Sequence, residues 1–213
     1  MEPVKSTVIV DSGCANLNSI YRAALAAGID AVVTDKRTEI KEAPAIIFPG
    51  VGSFEHAMNL LKTKDLTALL RETIASGKPF LGICLGMQLL FDTSDESADA
   101  CSPSKGLSTL GGKSVRFPAG LPVPHVGWNQ AKPVNNHPLF AGLDENAYFY
   151  FTHSYYVIPE DQNNILATTE YGLSFTSAVC KDNLLGVQFH PEKSGPSGLR
   201  LLGNFGKIIA DKN

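Results

Sequence analysis

The feature that most constrains this sequence is an apolar segment at residues 80–83 that continues through Cys84 into a second apolar segment at residues 85–91. The first segment predicts a buried strand, and the second has the apolar spacing of a helix. Gly82 and Gly86 flank the junction, where a sharp strand-to-helix turn leaves little room for side chains. The sequence therefore predicts a strand, a tight turn at Cys84 and a helix that runs to residue 91.

The rest of the first half shows the same alternation of strands and helices. Further strands are predicted at residues 7–10, 31–34 and 45–48, and helices at 17–27, 54–61 and 66–76. Such alternation favours a mostly parallel sheet with helices on both faces and with ligands at the carboxyl ends of its strands.

The second half changes to short β-type runs separated by turn residues. These runs lie at residues 114–117, 148–151, 165–169, 175–180 and 184–189. The chain closes with an amphipathic helix at residues 197–210. We therefore expect an α/β fold with a strand-rich second half.

Composition narrows the class of protein. The chain has 213 residues, of which 44% are hydrophobic and 18% are charged. Its net charge is -3, and its lysines and arginines are scattered, not clustered. We expect one domain spanning residues 1–213 that binds no nucleic acid. The longest apolar stretch, residues 80–91, is too short to cross a membrane. Four scattered cysteines with no C-x-x-C pair predict no metal site, and we expect no cofactor.

The amino terminus carries an acid and a proline, Glu2 and Pro3, ahead of a short apolar run. This pattern is that of a first strand and not of a signal peptide. We expect a reduced, cytoplasmic protein.

Cys84 is the candidate nucleophile. Its G-x-C-x-G motif has the context of the G-x-S-x-G nucleophile elbow, in which the nucleophile is exposed on a tight turn. A helix amino terminus directly behind the residue would favour the thiolate. The competing interpretation is a buried core cysteine flanked by incidental glycines.

A thiol nucleophile needs a base and a carboxylate that orients it. His190-Pro191-Glu192 supplies both types of side chain, and residues i and i+2 of an extended segment point to the same side. Alone, this motif could be a surface turn. Among the other histidines, His153 could line the pocket, whereas His56, His125 and His137 are interpreted as surface or structural residues.

Acyl transfer also needs hydrogen-bond donors for the developing oxyanion. The backbone N–H of Leu85, directly after the nucleophile, is one candidate. The loop Pro49-Gly50-Val51-Gly52 follows a neighbouring strand and offers another. Considered alone, this loop could be an ordinary turn.

Together these motifs resemble the class I glutamine amidotransferases, and within them the glutaminase subunits of imidazole glycerol phosphate synthase. The similarity runs nearly end to end and includes residues 84–91 (CLGMQLLF), 126–129 (VGWN) and 188–195 (QFHPEKSG). The chain departs from the family near its amino terminus, where Ser12 and Ala15 stand in place of a tyrosine and a glycine. This departure concerns the loop after the first strand and not the three predicted catalytic residues.

The resemblance implies the class I glutaminase fold, with a mostly parallel, flavodoxin-like open sheet. It also implies that Cys84 attacks the glutamine side-chain amide, that His190 protonates the departing ammonia and that Glu192 completes the triad. The ammonia would pass to a (β/α)8 barrel cyclase subunit of histidine biosynthesis. Because the chain ends at Asn213, we expect that barrel to be a separate polypeptide that forms a heterodimer with this one.

The same resemblance assigns further residues. Those that would hold the glutamine zwitterion are Gln88, Glu96, Ser154 and Tyr155. Gly52 would contribute to the oxyanion hole. Those that resemble positions facing the barrel are Trp128, Asn129 and Lys193, although Trp128 could equally be a core residue.

Three alternatives remain at this point. The first is a class I glutaminase of another synthase, such as a chorismate-using enzyme, where His-Gln would stand in place of Met87-Gln88. The second is a related cysteine hydrolase or peptidase without a barrel partner. The third is a binding module that has lost the chemistry. As a hypothesis, the isolated glutaminase should be poorly active, because the glycine-rich loop at residues 50–52 can rotate an oxyanion donor out of place.

Overall fold

The computed structural model describes residues 6–97 and 102–212. Its α-helices are α1 (Leu17–Ala26), α2 (Arg37–Glu42), α3 (Phe54–Thr63), α4 (Thr67–Ala75), α5 (Leu85–Gln88) and α6 (Gly195–Lys212). Single turns of 3-10 helix lie at Pro138–Phe140, Gln162–Asn164 and Pro191–Lys193.

The strands in the described residues fall into two groups along the chain. Those of the first half are β1 (Thr7–Val10), β2 (Ala31–Thr34), β3 (Ile46–Gly50), β4 (Phe80–Cys84) and β5 (Phe91–Ser94). Those that follow are β6 (Ser104–Lys105), β7 (Leu110–Arg116), β8 (His125–Gln130), β9 (Lys132–Pro133), β10 (Tyr148–His153), β11 (Tyr155–Pro159), β12 (Ile165–Glu170), β13 (Ser174–Lys181) and β14 (Leu184–Val187).

Twelve of the strands in the described residues form one sheet. Its order is β2-β1-β3-β4-β14-β13-β11-β7-β5-β6, and β12 and β9 extend it from β13. The first five strands of this order are parallel. Strands of the second half continue the sheet mainly in antiparallel pairs, and β5 again pairs with β7 in parallel. β8 and β10 form a separate antiparallel ribbon.

Helices cover both faces of the parallel region, as the sequence predicted. Alternate residues of β1 point to opposite faces, so Ile9 packs in one core cluster and Val8 and Val10 in the other. The first cluster contains residues of α1 and α6, and the second contains residues of α2, α3 and α4. None of the helices in the two described ranges is long and apolar enough to span a bilayer.

The structure corrects the predicted helix behind Cys84. It ends at Gln88, and Phe91 begins β5, where it pairs with Leu110 of β7. The apolar residues 89–91 fit either a helix or a buried strand, and the pairing with β7 decides between them. The predicted strands of the second half are confirmed within a few residues at each end.

The topology places three strand ends at one edge of the sheet. β4 lies between β3 and β14, with Gly50 opposite Cys84 and Val187 opposite Ile83. All three strands are parallel, so their carboxyl ends meet at this edge. The glycine-rich loop, Cys84 and the segment that carries His190 are therefore neighbours.

Candidate active site

Cys84 lies on a strained turn between β4 and α5. Its backbone has φ 54° and ψ -113°, in the left-handed half of the Ramachandran plot that a side chain rarely adopts. A Cβ on Gly86 would lie 1.9 Å from the Phe48 carbonyl oxygen, and one on Gly82 would lie 2.9 Å from the Gly86 oxygen. Only glycine fits at these positions, which explains why both flank Cys84.

His190 and Glu192 form a buried pair beside Cys84. His190 Nδ1 lies 2.8 Å from Glu192 Oε1, and both side chains are at most 5% exposed. Pro191–Lys193 is a single 3-10 turn and not the extended segment that the sequence suggested, but the pair still forms. Among the described residues, His190 Nε2 has no hydrogen-bond partner of good geometry, and it shares a cavity with Cys84.

The electrostatics of this group favour a charged imidazole. Burial opposes protonation of His190, but the neighbouring Cys84 and Glu192 outweigh it and raise the pKa of His190 well above its ordinary value. An imidazolium next to a thiol favours the thiolate form. The helix behind Cys84 is only one turn long, so the activation that we expected from its amino terminus is small.

A cavity of about 290 Å³ opens at Cys84. Small-molecule pockets measure about 300–1,000 Å³, so this one suits a single small ligand. Its walls contain Gly52, Cys84, Leu85, Gln88, Glu96, Ser154, Tyr155 and His190, all predicted site residues, together with Val51, Pro124, Thr152 and His153. No group of three or more His, Cys, Asp or Glu in the described ranges is placed to hold a metal ion.

Gln88 is buried in the cavity wall and uses both N–H groups within the protein. Its Nε2 donates to the Tyr155 carbonyl at 3.0 Å and to Gln188 Oε1 at 2.9 Å. Gln188 Nε2 in turn lies 3.5 Å from Cys84 Sγ. The Gln88 amide oxygen is therefore the part that can accept a hydrogen bond from a ligand. The contact of Gln188 with Cys84 was not predicted.

Glu96 is not a solvated surface group. Its Oε2 accepts the backbone N–H of Phe54, the first residue of α3, at 2.8 Å. A carboxylate at a helix amino terminus interacts favourably with the helix dipole. Burial raises the pKa of Glu96, and the hydrogen bond from Phe54 opposes that shift. The residue thus joins the cavity wall to a helix.

The predicted oxyanion donors differ in their hydrogen bonds. The N–H of Leu85 belongs to the first residue of α5, a position with no partner inside the helix. The N–H of Val51, next to Gly52, donates to the Cys14 carbonyl at 2.8 Å. Cys14 lies in the atypical loop after β1, where its sulfur is 3.2 Å from Ser12 Oγ. The glycine-rich loop therefore has one of its donors already occupied.

The residues predicted to face a partner lie on the β8–β10 ribbon and beside it. Trp128 is 55% exposed, so it is not a core residue, and its ring contacts that of Tyr150 edge-on. Lys193 Nζ lies 5.7 Å from the centre of the Tyr150 ring. Val126 and Tyr148, which were not predicted, are also more than half exposed. Asn129 points to the other face, where it hydrogen-bonds to the Glu170 carbonyl.

Ser194 joins this ribbon to the candidate base. Its hydroxyl donates to the His190 carbonyl at 2.6 Å and accepts the Tyr150 N–H at 2.9 Å. The His190 N–H also donates to the Tyr150 carbonyl at 2.9 Å. The candidate base is thus held against the strand that carries Tyr150.

Comparison with known proteins places this geometry in a family. The family model described as glutamine amidotransferase class-I matches residues 8–208. The imidazole glycerol phosphate synthase subunit HisH of Moorella thermoacetica is 46% identical over 209 residues, 98% of this chain and 96% of that protein. The HisH subunit of Symbiobacterium thermophilum is 45% identical over 204 residues, 96% of this chain and 94% of that protein.

Solved structures agree at the level of the fold. A crystal structure of a glutamine amidotransferase superposes with a TM-score of 0.70 at 18% identity, covering 95% of this chain and 98% of that one. The chain therefore belongs to the class I glutamine amidotransferase family, and within it to the group of imidazole glycerol phosphate synthase HisH subunits.

Proposed function

We propose that this chain is the glutaminase subunit of imidazole glycerol phosphate synthase and that Cys84, His190 and Glu192 are its catalytic triad. The observation that carries the proposal is the buried His190–Glu192 pair, which stands beside a cysteine on a strained elbow in a chain nearly half identical to HisH subunits. The strained turn places the Cys84 sulfur in the cavity, and the His190–Glu192 pair lies beside it, as an activated nucleophile requires.

In the proposed reaction, the Cys84 thiolate attacks the side-chain carbonyl carbon of glutamine. The negative charge that develops on the carbonyl oxygen is stabilised by backbone N–H groups, of which Leu85 supplies one. His190 then gives its Nε2 proton to the departing ammonia, which leaves a thioester on Cys84. Water activated by the neutral imidazole releases glutamate, and Glu192 holds the ring in the required tautomer throughout.

The cavity walls have the polarity that a glutamine zwitterion needs. The Glu96 carboxylate and the Gln88 amide oxygen can accept hydrogen bonds from the α-ammonium group, and Ser154 and Tyr155 line the same cavity, with the Tyr155 carbonyl hydrogen-bonded to Gln88. The cavity has room for one small amino acid. These four residues are proposed to bind the substrate.

The exposed face of the β8–β10 ribbon is the proposed contact with a separate (β/α)8 barrel cyclase. Large apolar side chains gather there, and Lys193 adds a positive charge at the edge. Exposed apolar patches of this kind mark protein interfaces. Trp128 and Lys193 are proposed interface residues on this face, whereas Asn129, the third residue predicted there, points to the other face of the ribbon. The barrel would combine the ammonia with the phosphoribulosyl-formimino intermediate to give imidazole glycerol phosphate and aminoimidazole carboxamide ribotide. The cytoplasmic location stays a prediction from the sequence.

The isolated chain is proposed to be a poor glutaminase. The Val51 N–H, which stands next to Gly52 in the cavity wall, is engaged by the Cys14 carbonyl and not directed at a substrate. Catalysis then relies on fewer oxyanion donors, and the loss of one such donor costs about 10²–10³ in kcat. Rotation of the loop at Gly50–Gly52 on partner binding would restore the donor, with Gly52 beside it.

The test is glutamate release from glutamine by the purified chain, alone and then with a histidine-pathway barrel subunit and its ribotide ligand. We expect low activity alone, strong activation by the complete pair and abolition in Cys84→Ala. Cys180→Ala is the matched control, because Cys180 on β13 is also a cysteine outside any disulfide and does not line the cavity. Its sulfur lies 3.5 Å from His137 Nε2. The Cys180→Ala variant should retain activation.

The other outcomes separate the alternatives. Activity that ignores the barrel would leave a glutaminase of another synthase. Hydrolysis of other amides without a glutamine preference would favour a related cysteine hydrolase. Cys84→Ala protein that still transfers ammonia from glutamine would contradict the proposed triad.

A further inference from the structure

Three residues of the β8–β10 ribbon and Tyr155, the first residue of β11, form a continuous chain of hydrogen bonds that ends in the cavity wall. Asn129 Nδ2 lies 3.3 Å from His125 Nε2, and His125 Nδ1 lies 3.0 Å from His153 Nε2. His153 Nδ1 lies 2.8 Å from the Tyr155 carbonyl oxygen. The two histidines sit opposite each other on the paired strands.

Asn129, at the first end of this hydrogen-bond chain, fixes which atom donates in each bond. Asn129 Oδ1 accepts the Gln130 N–H and Asn129 Nδ2 donates to the Glu170 carbonyl, so the amide orientation is set. An amide nitrogen can only donate, and His125 Nε2 must therefore accept. The proton of a neutral His125 then sits on Nδ1, from which it is donated to His153 Nε2.

Tyr155, at the other end of this hydrogen-bond chain, independently gives the same donor and acceptor assignment. A carbonyl oxygen can only accept, so the bond to Tyr155 places the proton of His153 on Nδ1. His153 Nε2 is then an acceptor, as His125 requires. All three bonds point from Asn129 towards Tyr155, and both rings must be neutral, because a proton added to either would set two donors against each other.

The surroundings keep both rings neutral. His125 and His153 are buried, and burial lowers the pKa of His125 to about 4 and that of His153 to about 3. The nearby His190 adds to the effect on His153. His125 also stacks on Phe151 and Tyr171, with ring centres 4.9 and 4.0 Å away, which fixes its orientation.

We propose that His125 and His153 are positioning residues for glutamine binding, which they support by holding the Tyr155 carbonyl through this one-way chain. That carbonyl also accepts from Gln88 Nε2, so its place decides where the Gln88 amide oxygen stands in the cavity. The inference rests on the proposed glutaminase function. Neither histidine is required to touch the substrate or to exchange a proton during the reaction.

This hydrogen-bond chain starts directly behind the proposed partner face. Asn129 follows Trp128 on β8, and their side chains emerge on opposite faces of the ribbon. A partner that shifts Trp128 therefore moves the donor that sets the tautomer of His125. The Gln188 contact with Cys84 lies beyond Gln88, so the same chain reaches the neighbourhood of the nucleophile.

Two substitutions at residue 153 test the inference. In His153→Asn the amide nitrogen takes the place of Nδ1 and can still donate to Tyr155, whereas in His153→Gln the amide lies at the position of Nε2 and cannot. Both remove the ring from its aromatic contacts. We expect the Gln variant to raise KM for glutamine about tenfold, the order expected for one lost hydrogen bond, and the Asn variant about threefold or less.

The assay uses the complete complex with its ribotide ligand, and His56→Asn, at an exposed histidine, is the control. We expect kcat to change little, and alkylation of Cys84 by iodoacetamide without glutamine to match the wild type in both variants. If the Gln variant does not fold, His125→Asn and His125→Gln test the next bond, with the same order of KM expected.

Equal KM values for the Asn and Gln variants, raised or not, would overturn the inference, because a purely structural ring would make the two changes equivalent. Wild-type protein that does not hydrolyse glutamine with the barrel would contradict the proposed function itself, together with the inference that rests on it.

Discussion

Gly86 shows how closely the elbow is packed. The carbonyl of Phe48 on β3 occupies the space where a side chain would start, 1.9 Å from a Cβ at this position. Backbone atoms cannot move aside as a flexible side chain can, so the strand and the turn would have to separate. Cys84 is therefore held in place by contacts that a single methyl group would break.

We predict that Gly86→Ala lowers the free energy of unfolding by about 3 kcal/mol or more, at the upper end of overpacking effects. Gly203→Ala is the matched control, because Gly203 lies within α6 and a Cβ there would meet only the Ala27 oxygen at 3.6 Å. The control should be neutral or stabilising by up to about 1 kcal/mol. Urea denaturation with equal losses in both variants would contradict the packing argument.

The sequence predicted the residues of the site better than their contacts. Cys84 and its glycines were recognisable because a strand, an elbow and a helix start follow one another within a few residues. The role of Gln188 was not, because its contact with Cys84 joins residues 104 apart in the chain. Ser194 was missed for the same reason, since Tyr150 lies 44 residues before it.

At the scale of elements, Glu96 has two roles. It lines the cavity, and it also accepts the first N–H of α3. A substitution can separate these roles because glutamine keeps an acceptor oxygen and loses the charge. Substrate binding and helix stability should respond differently.

We predict that Glu96→Gln raises KM for glutamine at least about tenfold, because a charged pair with the α-ammonium group is lost, and changes stability by less than about 1 kcal/mol. Glu96→Ala should raise KM similarly and also cost about 1 kcal/mol of stability through the lost cap. KM from initial rates and Tm from calorimetry test both statements. An unchanged KM in Glu96→Gln would remove Glu96 from the substrate site.

Elements were predictable where local periodicity and pairing agree. The parallel strands and the helices α1, α3, α4 and α6 were found within a few residues. α2 was missed because Arg37–Glu42 is polar apart from the buried Ile40. A single apolar residue in six gives no helical spacing of apolar residues to recognise. β8 was missed as a strand because its inner face carries His125, Gly127 and Asn129 in place of an apolar row.

The molecule as a whole should lose stability in acid because it buries neutral histidines. The pKa values of His125 and His153 in the folded state are about 4 and about 3, below the ordinary 6.5. The unfolded chain therefore takes up protons that the folded one cannot, and this stabilisation is lost as pH falls from 6.5 towards 4. His190 has the opposite sign, since its raised pKa stabilises fully below 6.5 and less as pH rises.

We predict that each buried neutral histidine contributes up to about 1.4 kcal/mol per pH unit to the acid slope between pH 6 and 4.5. Because His153→Asn removes one of the two groups, its slope should be shallower by that amount. The free energy of unfolding measured by urea at several pH values gives both slopes. Identical slopes in variant and wild type would show that His153 titrates normally.

The adjacency of β4 and β14 has a consequence for synthesis on the ribosome. The two strands pair in parallel. Gln188 follows β14 directly and contacts the Cys84 sulfur, yet it is translated 104 residues after Cys84. At about 5–20 residues per second, roughly 5–20 seconds separate the appearance of the sulfur from that of His190 and Glu192. Until then the emerging chain carries Cys84 without its proposed base and carboxylate, on an unfinished sheet. We therefore expect the newborn protein to acquire the proposed reactivity of Cys84 only near the end of translation.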